Sequence, residues 1–112
     1  MESCVFCRIG AGDLPVESIY ENEEFVSFRD LKPAAPVHVL VIPRKHFSTF
    51  ADVDDFALMG RALAAVQATA RALRLEDDGY RVVINCKGDG GQTIYHLHIH
   101  ILGGRFMSWP PG

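Results

Sequence analysis

The chain has 112 residues, of which 48% are hydrophobic, and its formal net charge is −3 with the histidines neutral. This length suits a single domain, residues 1–112, which can bury a core without covalent support. The negative net charge argues against DNA or RNA as a partner, because binding to their phosphates needs clustered Lys and Arg. A single mononucleotide needs only a few local hydrogen-bond donors and is not excluded.

The first residues and the cysteine content predict a cytoplasmic protein. The chain begins Met1-Glu2-Ser3-Cys4, without the basic and apolar run of a signal peptide. No apolar stretch approaches the roughly 20 residues that span a bilayer, so we expect no membrane partner. Three cysteines form no complete disulfide framework, which favours a reducing compartment.

The N-terminal part of the chain predicts a short helix and three strands. A helical turn is expected over residues 5–9. Residues 18–20 and 25–28 are strand-like and flank a polar segment, which indicates a hairpin. Residues 37–42 form an apolar run that ends at Pro43, as expected for a strand buried on both faces.

The longest helix is predicted over residues 53–75. Asp52 precedes it as the expected N-cap, and Gly79 lies beyond its end. One face carries apolar residues at steps of three and four, the spacing of a helix that packs on a core. The residues of this predicted stripe are Phe56, Met59, Leu63, Val66, Ala70 and Leu73.

Two further strands complete the predicted fold. Residues 80–85 and 95–102 flank a glycine-rich turn at 87–91, and we expect the two strands to pair antiparallel. Together the elements predict an α+β fold, with about five strands in a mainly antiparallel sheet, one long helix and a short N-terminal helix.

Three histidines alternate with aliphatic residues in the run Tyr95-His96-Leu97-His98-Ile99-His100-Ile101-Leu102. Side chains of a strand point to opposite faces in turn, so the three imidazoles share one face and the aliphatic residues form core on the other. Imidazole serves as a nucleophile, an acid–base catalyst or a metal ligand, and it attacks phosphorus readily. An exposed polar strand face is the alternative interpretation.

Cys4-x-x-Cys7 supplies two thiols near the N-terminus. With two imidazoles they complete a closed tetrahedral zinc site, for which His46 and His96 are the natural partners if His98 remains the nucleophile. Such a zinc ion is structural, one per chain, because it has no open position for water. A redox pair and two small buried thiols are the alternatives.

The turn before the histidines is rich in glycine. Gly88, Gly90 and Gly91 expose backbone N–H groups, and Gln92 and Thr93 add polar side chains, so the turn could cradle a phosphate. It lacks the lysine of the G-x-x-x-x-G-K-[ST] phosphate-binding loop. A plain hairpin turn would have a similar composition.

Residues 96–102 resemble the histidine triad, H-φ-H-φ-H-φ-φ with φ apolar, of the HIT superfamily. Residues 28–38, 42–46 and 90–93 also look like this family, and the ending 103–112 is similar to its Hint branch. The resemblance covers nearly the whole chain. It implies a HIT-like fold, a homodimer whose two sheets join into one, and a nucleoside phosphoramidase without an organic cofactor. The implied substrates are adenosine 5′-phosphoramidates and aminoacyl-AMP-like adducts.

The resemblance also implies catalytic and ribose-binding roles. His98 matches the nucleophile that becomes transiently nucleotidylated, and His100 and His38 match the residues that support it and its phosphate. Asp30 matches the position that binds the ribose hydroxyls. Thr93 stands where close relatives commonly have serine, and it keeps the hydroxyl.

Other matching positions imply the rest of the pocket. The purine slot is matched by Val5, Phe6, Ile9, Phe28 and Leu31. Asn85, Gly91 and Thr93 match positions around the phosphate and the leaving group, and Trp109 matches a tail residue that reaches toward the partner's site. Members with an N-terminal C-x-x-C often hold zinc, and His46 and His96 match their two histidine ligands.

Three other functions are compatible with the sequence. The first is a dinucleoside polyphosphate hydrolase of the same superfamily, although the tail Trp109-Pro110-Pro111 favours the phosphoramidase. The second is a zinc-stabilised nucleotide-binding or scaffold dimer without catalysis. The third is a metal-dependent hydrolase that uses all three histidines, but alternate residues of a strand lie roughly 6.5–7 Å apart and do not converge on one ion.

Overall fold

Five strands form one antiparallel sheet in the computed structural model, which describes residues 3–112. The elements in chain order are α1 (Val5–Gly10), β1 (Ser18–Glu21), β2 (Phe25–Arg29), β3 (Val37–Pro43), a 3₁₀ turn (Phe50–Asp52), α2 (Phe56–Ala72), β4 (Arg81–Val83) and β5 (Ile99–Gly103). The strand order is β1-β2-β3-β5-β4. The predicted α+β class, strand number and two helices are thereby confirmed.

Met1 and Glu2, which belong to the N-terminal segment considered above, lie outside the described residues. Within residues 3–112, none of the helices combines the length and the hydrophobicity needed to cross a membrane.

Strand β3 lies at the centre of the sheet, between β2 and β5. From His38 onward its residues are buried, which confirms the strand predicted to be covered on both faces. On one face β3 packs with α2, and the core there includes Val39, Val41 and Ile101. On the other face α1 covers a smaller cluster through Phe6. The sheet is therefore a layer between the two helices, and both helices are held mainly by apolar burial.

Helix α2 begins later than predicted. Its N-cap is Asp55, whose Oδ1 accepts the Leu58 N–H at 3.0 Å, so the prediction of Asp52 was wrong. Asp52 instead accepts the Thr49 N–H at 3.0 Å and closes the preceding 3₁₀ turn. The two acidic capping residues, Asp52 and Asp55, are three positions apart in the sequence. Because Asp52 already caps the 3₁₀ turn, Asp55 is the residue that caps the long helix.

The buried face of α2 is rotated from the predicted stripe. Phe56 is 80% exposed and Leu63 is 49% exposed. The buried residues of the helix are Leu58, Ala62, Ala65, Val66, Thr69 and Ala70. The helix is apolar on two sides, and the side with the smaller residues packs on the sheet because alanines let the helix approach closely. The larger residues are left on the outside.

The last two strands pair antiparallel as predicted, with Val83 opposite His100, but both are shorter than expected. Strand β5 begins only at Ile99, so His96 and His98 lie in an irregular segment that leads into it. There the Leu97 N–H donates to the Phe47 carbonyl at 2.7 Å instead of to a strand partner. This segment brings the first two histidines to different neighbours.

Candidate active site

The alternation of the histidine run is preserved, and Leu97, Ile99 and Ile101 are buried in the core as predicted. The three imidazoles on the other side do not share one environment. His96 turns to the two N-terminal cysteines, and His100 turns to His38 on β3. His98 lies between them, with its ring centroid 5.0 Å from that of His100. Because each ring has its own partners, the three do not converge on one ion.

His98 is held by a hydrogen bond to its own chain. Its Nδ1–H donates to the carbonyl oxygen of His96 at 2.8 Å, and the Phe6 ring packs edge-on against the imidazole at 5.3 Å. A carbonyl only accepts, so Nδ1 carries the proton and the neutral ring keeps a bare lone pair on Nε2. Among residues 3–112, no side chain or backbone group hydrogen-bonds to that Nε2. This is the tautomer that a nucleophilic imidazole needs.

A chain of hydrogen bonds orients the other two catalytic candidates. The Ala34 N–H donates to His38 Nδ1 at 2.9 Å, which leaves the proton of neutral His38 on Nε2. His38 Nε2–H then donates to His100 Nδ1 at 2.9 Å, and the Asp30 carboxylate lies 3.4 Å from the same Nε2. His100 consequently presents an Nε2–H.

The Nε2–H of His100 is an unpartnered donor. Within the described chain, His100 Nε2 is the one side-chain nitrogen or oxygen that is itself closed off from solvent and has no hydrogen-bond partner. An orphaned buried donor costs free energy unless something accepts from it, which indicates a ligand with acceptor oxygens. Burial lowers the pKa of His100 to about 4, and His98 and His38 add to the decrease. The ring is therefore neutral near pH 7, and its single proton stays on Nε2.

Cys4, Cys7, His46 and His96 form a compact cluster at the start of α1. Cys4 Sγ lies 3.3 Å from His96 Nδ1, and Cys7 Sγ lies 3.2 Å from His46 Nδ1. The two Nδ1 atoms are 3.2 Å apart. These are the four residues predicted from the sequence, and the fold brings them together from three separate segments.

The cluster fits a zinc ion. Tetrahedral zinc with bonds of about 2.0–2.3 Å separates its nitrogen and sulfur ligands by about 3.3–3.8 Å, close to the distances between these atoms. His96 Nε2–H donates to the Pro43 carbonyl at 2.8 Å, so its Nδ1 points into the cluster as a bare lone pair. The donor set is thus that of a closed structural site.

The titration of the cluster agrees with this geometry. Burial lowers the pKa of His96, which keeps its imidazole neutral and able to ligate. Burial also raises the pKa of the Cys7 thiol, and the neighbouring Cys4 adds to the increase. A bound cation reverses this by stabilising both thiolates.

The residues predicted for the purine slot lie on α1 or on the neighbouring β2 and the loop after it, and they differ in how deeply they are buried. Phe6, Ile9 and Phe28 are buried in the smaller core cluster, whereas Val5 is 38% exposed on the helix. Leu31 is 97% exposed beside Asp30. The first three belong to the core between α1 and the sheet, whereas Val5 and Leu31 are the accessible members of the set.

The glycine-rich loop is held in its conformation by the side chain of Gln92. Its side-chain Oε1 accepts the Lys87 N–H at 2.9 Å, and its Nε2 donates to the Ser48 carbonyl at 2.8 Å. The idea that this side chain cradles phosphate is not supported, because the buried amide is fully engaged. Gly91 has a φ of +79°, a conformation that favours glycine, and Thr93 is exposed after it. Asn85 is half-buried at the start of the loop.

The end of the C-terminal segment lies beside β4, an edge strand of the sheet. Trp109 is 79% exposed, and the Arg81 guanidinium lies 5.9 Å from the centroid of its ring. Arg81 also donates to the Ser108 carbonyl at 3.1 Å. The structure therefore does not bring Trp109 to the histidines of its own chain.

Backbone groups of this site could not be found from the sequence. The Ala34 N–H and the carbonyls of Pro43 and His96 set the tautomers of three histidines. Every residue carries a carbonyl, and only the fold decides which one meets a ring. No pattern in the sequence pointed to Arg105, whose guanidinium donates to the carbonyl of Ala34.

Comparison with known proteins adds to this geometry. The HIT domain family matches residues 11–107, which include His38 and the three alternating histidines but not Cys4 or Cys7. An uncharacterised HIT-like protein of Synechococcus elongatus is 45% identical over 113 residues, covering 99% of this chain and 98% of that protein.

Solved structures are similar over nearly the whole chain. A HIT family hydrolase from Legionella pneumophila superposes with a TM-score of 0.93 and 44% identity, covering 98% of this chain and 100% of that one. A zinc-bound histidine triad family protein from Mycobacterium smegmatis gives a TM-score of 0.79 and 40% identity, covering 93% of this chain and 76% of that one.

Proposed function

The chain belongs to the HIT domain family, and from this premise we propose that it hydrolyses purine nucleoside 5′-phosphoramidates through a nucleotidyl-His98 intermediate. Its substrates are of the adenosine 5′-phosphoramidate and AMP-lysine type. The observation that carries this proposal is the orientation of His98, whose Nδ1–H is committed to the His96 carbonyl at 2.8 Å. Its Nε2 lone pair is thereby available to attack phosphorus beside the unpartnered donor of His100.

The reaction has two displacements at phosphorus. His98 Nε2 attacks the α-phosphorus in line, the P–N bond breaks, and the amine takes up a proton from solvent as it leaves. Water then attacks the nucleotidyl-imidazole, gives up a proton to solvent, releases the mononucleotide and restores neutral His98. One difficult displacement is thus divided into two easier ones.

Stabilisation of the phosphoryl oxygens comes from fixed donors. His100 Nε2–H is the buried donor that lacks an acceptor in the protein, and a phosphoryl oxygen satisfies it. The Thr93 hydroxyl and the backbone near it are the other proposed donors. Because the His100 pKa is about 4, the donor stays neutral during turnover near pH 7. Its strength then depends on the hydrogen bond that His38 donates to it.

The nucleoside is proposed to lie against α1. Phe6, Ile9 and Phe28 offer an apolar floor for a purine, and Val5 and Leu31 offer exposed apolar side chains at its rim. The Asp30 carboxylate is half-buried, and its Oδ1 accepts the Lys32 N–H at 2.8 Å, which fixes the group in place. We assign this carboxylate to the ribose hydroxyls and the remaining loop residues, Asn85 and Gly91, to the phosphate and leaving-group side.

A structural zinc ion, one per chain, is proposed for Cys4, Cys7, His46 and His96. When bound, it supplies a cross-link between α1 and the segment that leads to His98. The four ligands leave no position for a substrate, so the ion takes no part in the chemistry. Thiolate ligands need a reducing compartment, which supports a cytoplasmic location.

The active form is proposed to be a homodimer in which two sheets join through β4. This strand is one of the two edges of the sheet, and Val82 on it is 40% exposed. Beside it lies an apolar groove lined by Phe56, Met59, Leu63 and Ile84, among others. An unpaired edge next to exposed apolar side chains is suited to a second copy. In such a dimer Trp109 would extend toward the partner's pocket.

One experiment tests the central proposal. The protein is incubated with an AMP-lysine phosphoramidate and with a diadenosine polyphosphate, and AMP release is followed while mass spectrometry looks for an AMP adduct. We expect AMP from the phosphoramidate, an adduct on His98, and loss of both in His98→Ala. Much faster AMP release from the diadenosine polyphosphate than from the phosphoramidate would indicate that the protein is a dinucleoside polyphosphate hydrolase. AMP binding without turnover or adduct would make it a non-catalytic binding dimer.

A further inference from the structure

Arg105 connects the C-terminal segment to the loop between β2 and β3. One guanidinium nitrogen, Nη2, donates to the Ala34 carbonyl at 3.0 Å, and Nη1 donates to the Phe106 carbonyl at 3.0 Å. The segment reaches this place through a turn at Gly104, where φ is +87° and an added Cβ would lie 2.9 Å from Pro36. The planar guanidinium thus ties two stretches of backbone together.

Ala34 is also the residue that sets the tautomer of His38. Its N–H donates to His38 Nδ1 at 2.9 Å, so His38 donates from Nε2 to His100 Nδ1. If the Ala34 N–H moved away, His38 could carry its proton on Nδ1 instead. His38 Nε2 would then accept from His100 Nδ1, and His100 would lose the proton on Nε2. The direction of the whole relay depends on one backbone N–H.

The loop has few other means of fixing Ala34. Its remaining hydrogen bonds within residues 3–112 run to Asp30 or to His38, that is, to the loop itself and to the strand that follows. Ala34 has only a methyl side chain and is exposed. The Arg105 contact is therefore the polar anchor that comes from outside the loop.

We propose that Arg105 is a positioning residue of the active site, which by holding Ala34 fixes the direction of the His38–His100 relay. The expected effect of Arg105 on turnover rests on the proposed function, whereas its expected effect on the histidine tautomers does not. Arg105 is exposed and touches no histidine, so it acts through Ala34 alone. Nothing in this role requires the side chain to contact the substrate.

The test compares Arg105→Ala, Arg105→Lys and the control Arg71→Ala. Arg71 is an exposed arginine on α2 that pairs with Glu76, so its loss removes a surface cation without touching the loop. Long-range ¹H–¹⁵N spectra of histidine-labelled protein report which ring nitrogen carries the proton. In the wild type and in Arg71→Ala we expect His38 and His100 both protonated on Nε2. In Arg105→Ala we expect a mixture with the Nδ1–H tautomers, partly restored in Arg105→Lys.

Steady-state kinetics give a second readout. We expect kcat for the phosphoramidate to fall about 10- to 100-fold in Arg105→Ala with KM nearly unchanged, since misplaced catalytic groups cost rates of this order. Unchanged tautomers in Arg105→Ala would overturn the inference, and so would altered tautomers with wild-type kcat. Should the alanine variant fail to fold, Arg105→Gln supplies the same comparison. A wild type without turnover would sink the proposed function, whereas the spectra would still decide the role of Arg105.

Discussion

The side chain of His98 is hydrogen-bonded to the backbone of His96, Nδ1–H to carbonyl oxygen, over 2.8 Å. The same residue, His96, points its Nδ1 into the cluster of cysteines, 3.3 Å from Cys4 Sγ. One residue thus faces the proposed metal with its ring and the proposed nucleophile with its carbonyl. The placement of His98 is therefore expected to depend on the integrity of the cluster.

The ribose role of Asp30 predicts a selective loss. A hydrogen bond to a charged group contributes about 1.5–3 kcal/mol, so Asp30→Ala should lower kcat/KM for an adenosine phosphoramidate roughly 10- to 100-fold. The same substrate without its 2′,3′-diol should be affected much less. The measurement is kcat/KM for the two substrates with the wild type and the variant. Equal losses for both substrates would show that Asp30 acts through His38, which lies 3.4 Å away, and not on the ribose.

The zinc site predicts that the cysteine pair is essential for stability. A ligand that binds only the folded state stabilises it by about 4 kcal/mol at 1,000 times its dissociation constant. Cys4→Ser and Cys7→Ser should each lower the metal content from about one zinc per chain and reduce Tm by on the order of 10 °C. Elemental analysis of protein purified without added metal and calorimetry are the measurements.

Cys86→Ser is the matched control for these variants. Cys86 is half-buried like the other two cysteines but lies outside the cluster. It should keep its zinc and its Tm. A metal-free wild type, or a Cys86→Ser variant as unstable as Cys4→Ser, would contradict the assignment.

The features that the sequence predicted well have a strong periodic or chemical signal. Alternation with period two correctly divided residues 96–102 into core residues and histidines. The need for two more ligands beside Cys4-x-x-Cys7 selected His46 and His96, and the fold brings both next to the cysteines from 39 and 92 residues away. In both cases few residues of the chain offer the required chemistry.

The features that it missed have no such signal. Helix α2 is apolar on two sides, so periodicity alone could not decide that Leu63 faces outward and Ala62 inward. The relay through His38 is set by a backbone N–H, which every residue except proline possesses. Tertiary packing decides both, and it is not encoded in any short segment.

The proposed homodimer predicts a strong effect at the outward face of α2. Leu63 lines the groove beside β4 and is 49% exposed. Leu63→Arg would place an unpaired charge in an apolar interface, which costs about 2 kcal/mol or more, so the dissociation constant should rise by at least about 30-fold. Sedimentation equilibrium measures it. Ala57→Arg, which adds the same charge at an exposed position about 120° around the helix from Leu63, should leave the dimer intact. Unchanged association of Leu63→Arg would exclude this face.

The depressed pKa of His100 predicts how stability depends on pH. The unfolded chain binds a proton at His100 near the ordinary pKa of 6.5, whereas the folded chain does so only near pH 4. Between these values the unfolded state holds more protons, so the stability present above pH 6.5 is lost as pH falls toward 4. The residues that face His100 also affect its pKa in the folded state, because His98 and His38 lower it and Asp30 raises it.

His100→Gln removes that titration and isolates its contribution. Denaturant unfolding of both proteins from pH 7.5 to 4 gives the free energy of unfolding at each pH. On unfolding, the wild type should take up as much as one proton more than the variant does. Its free energy of unfolding should therefore decrease more steeply than that of the variant as the pH falls below 6.5. Because both proteins keep the same cysteine cluster, acid effects on the metal cancel in the difference. Parallel curves would mean that the folded His100 titrates near its ordinary pKa of 6.5, which would contradict the lowered pKa and with it a donor that stays entirely neutral near pH 7.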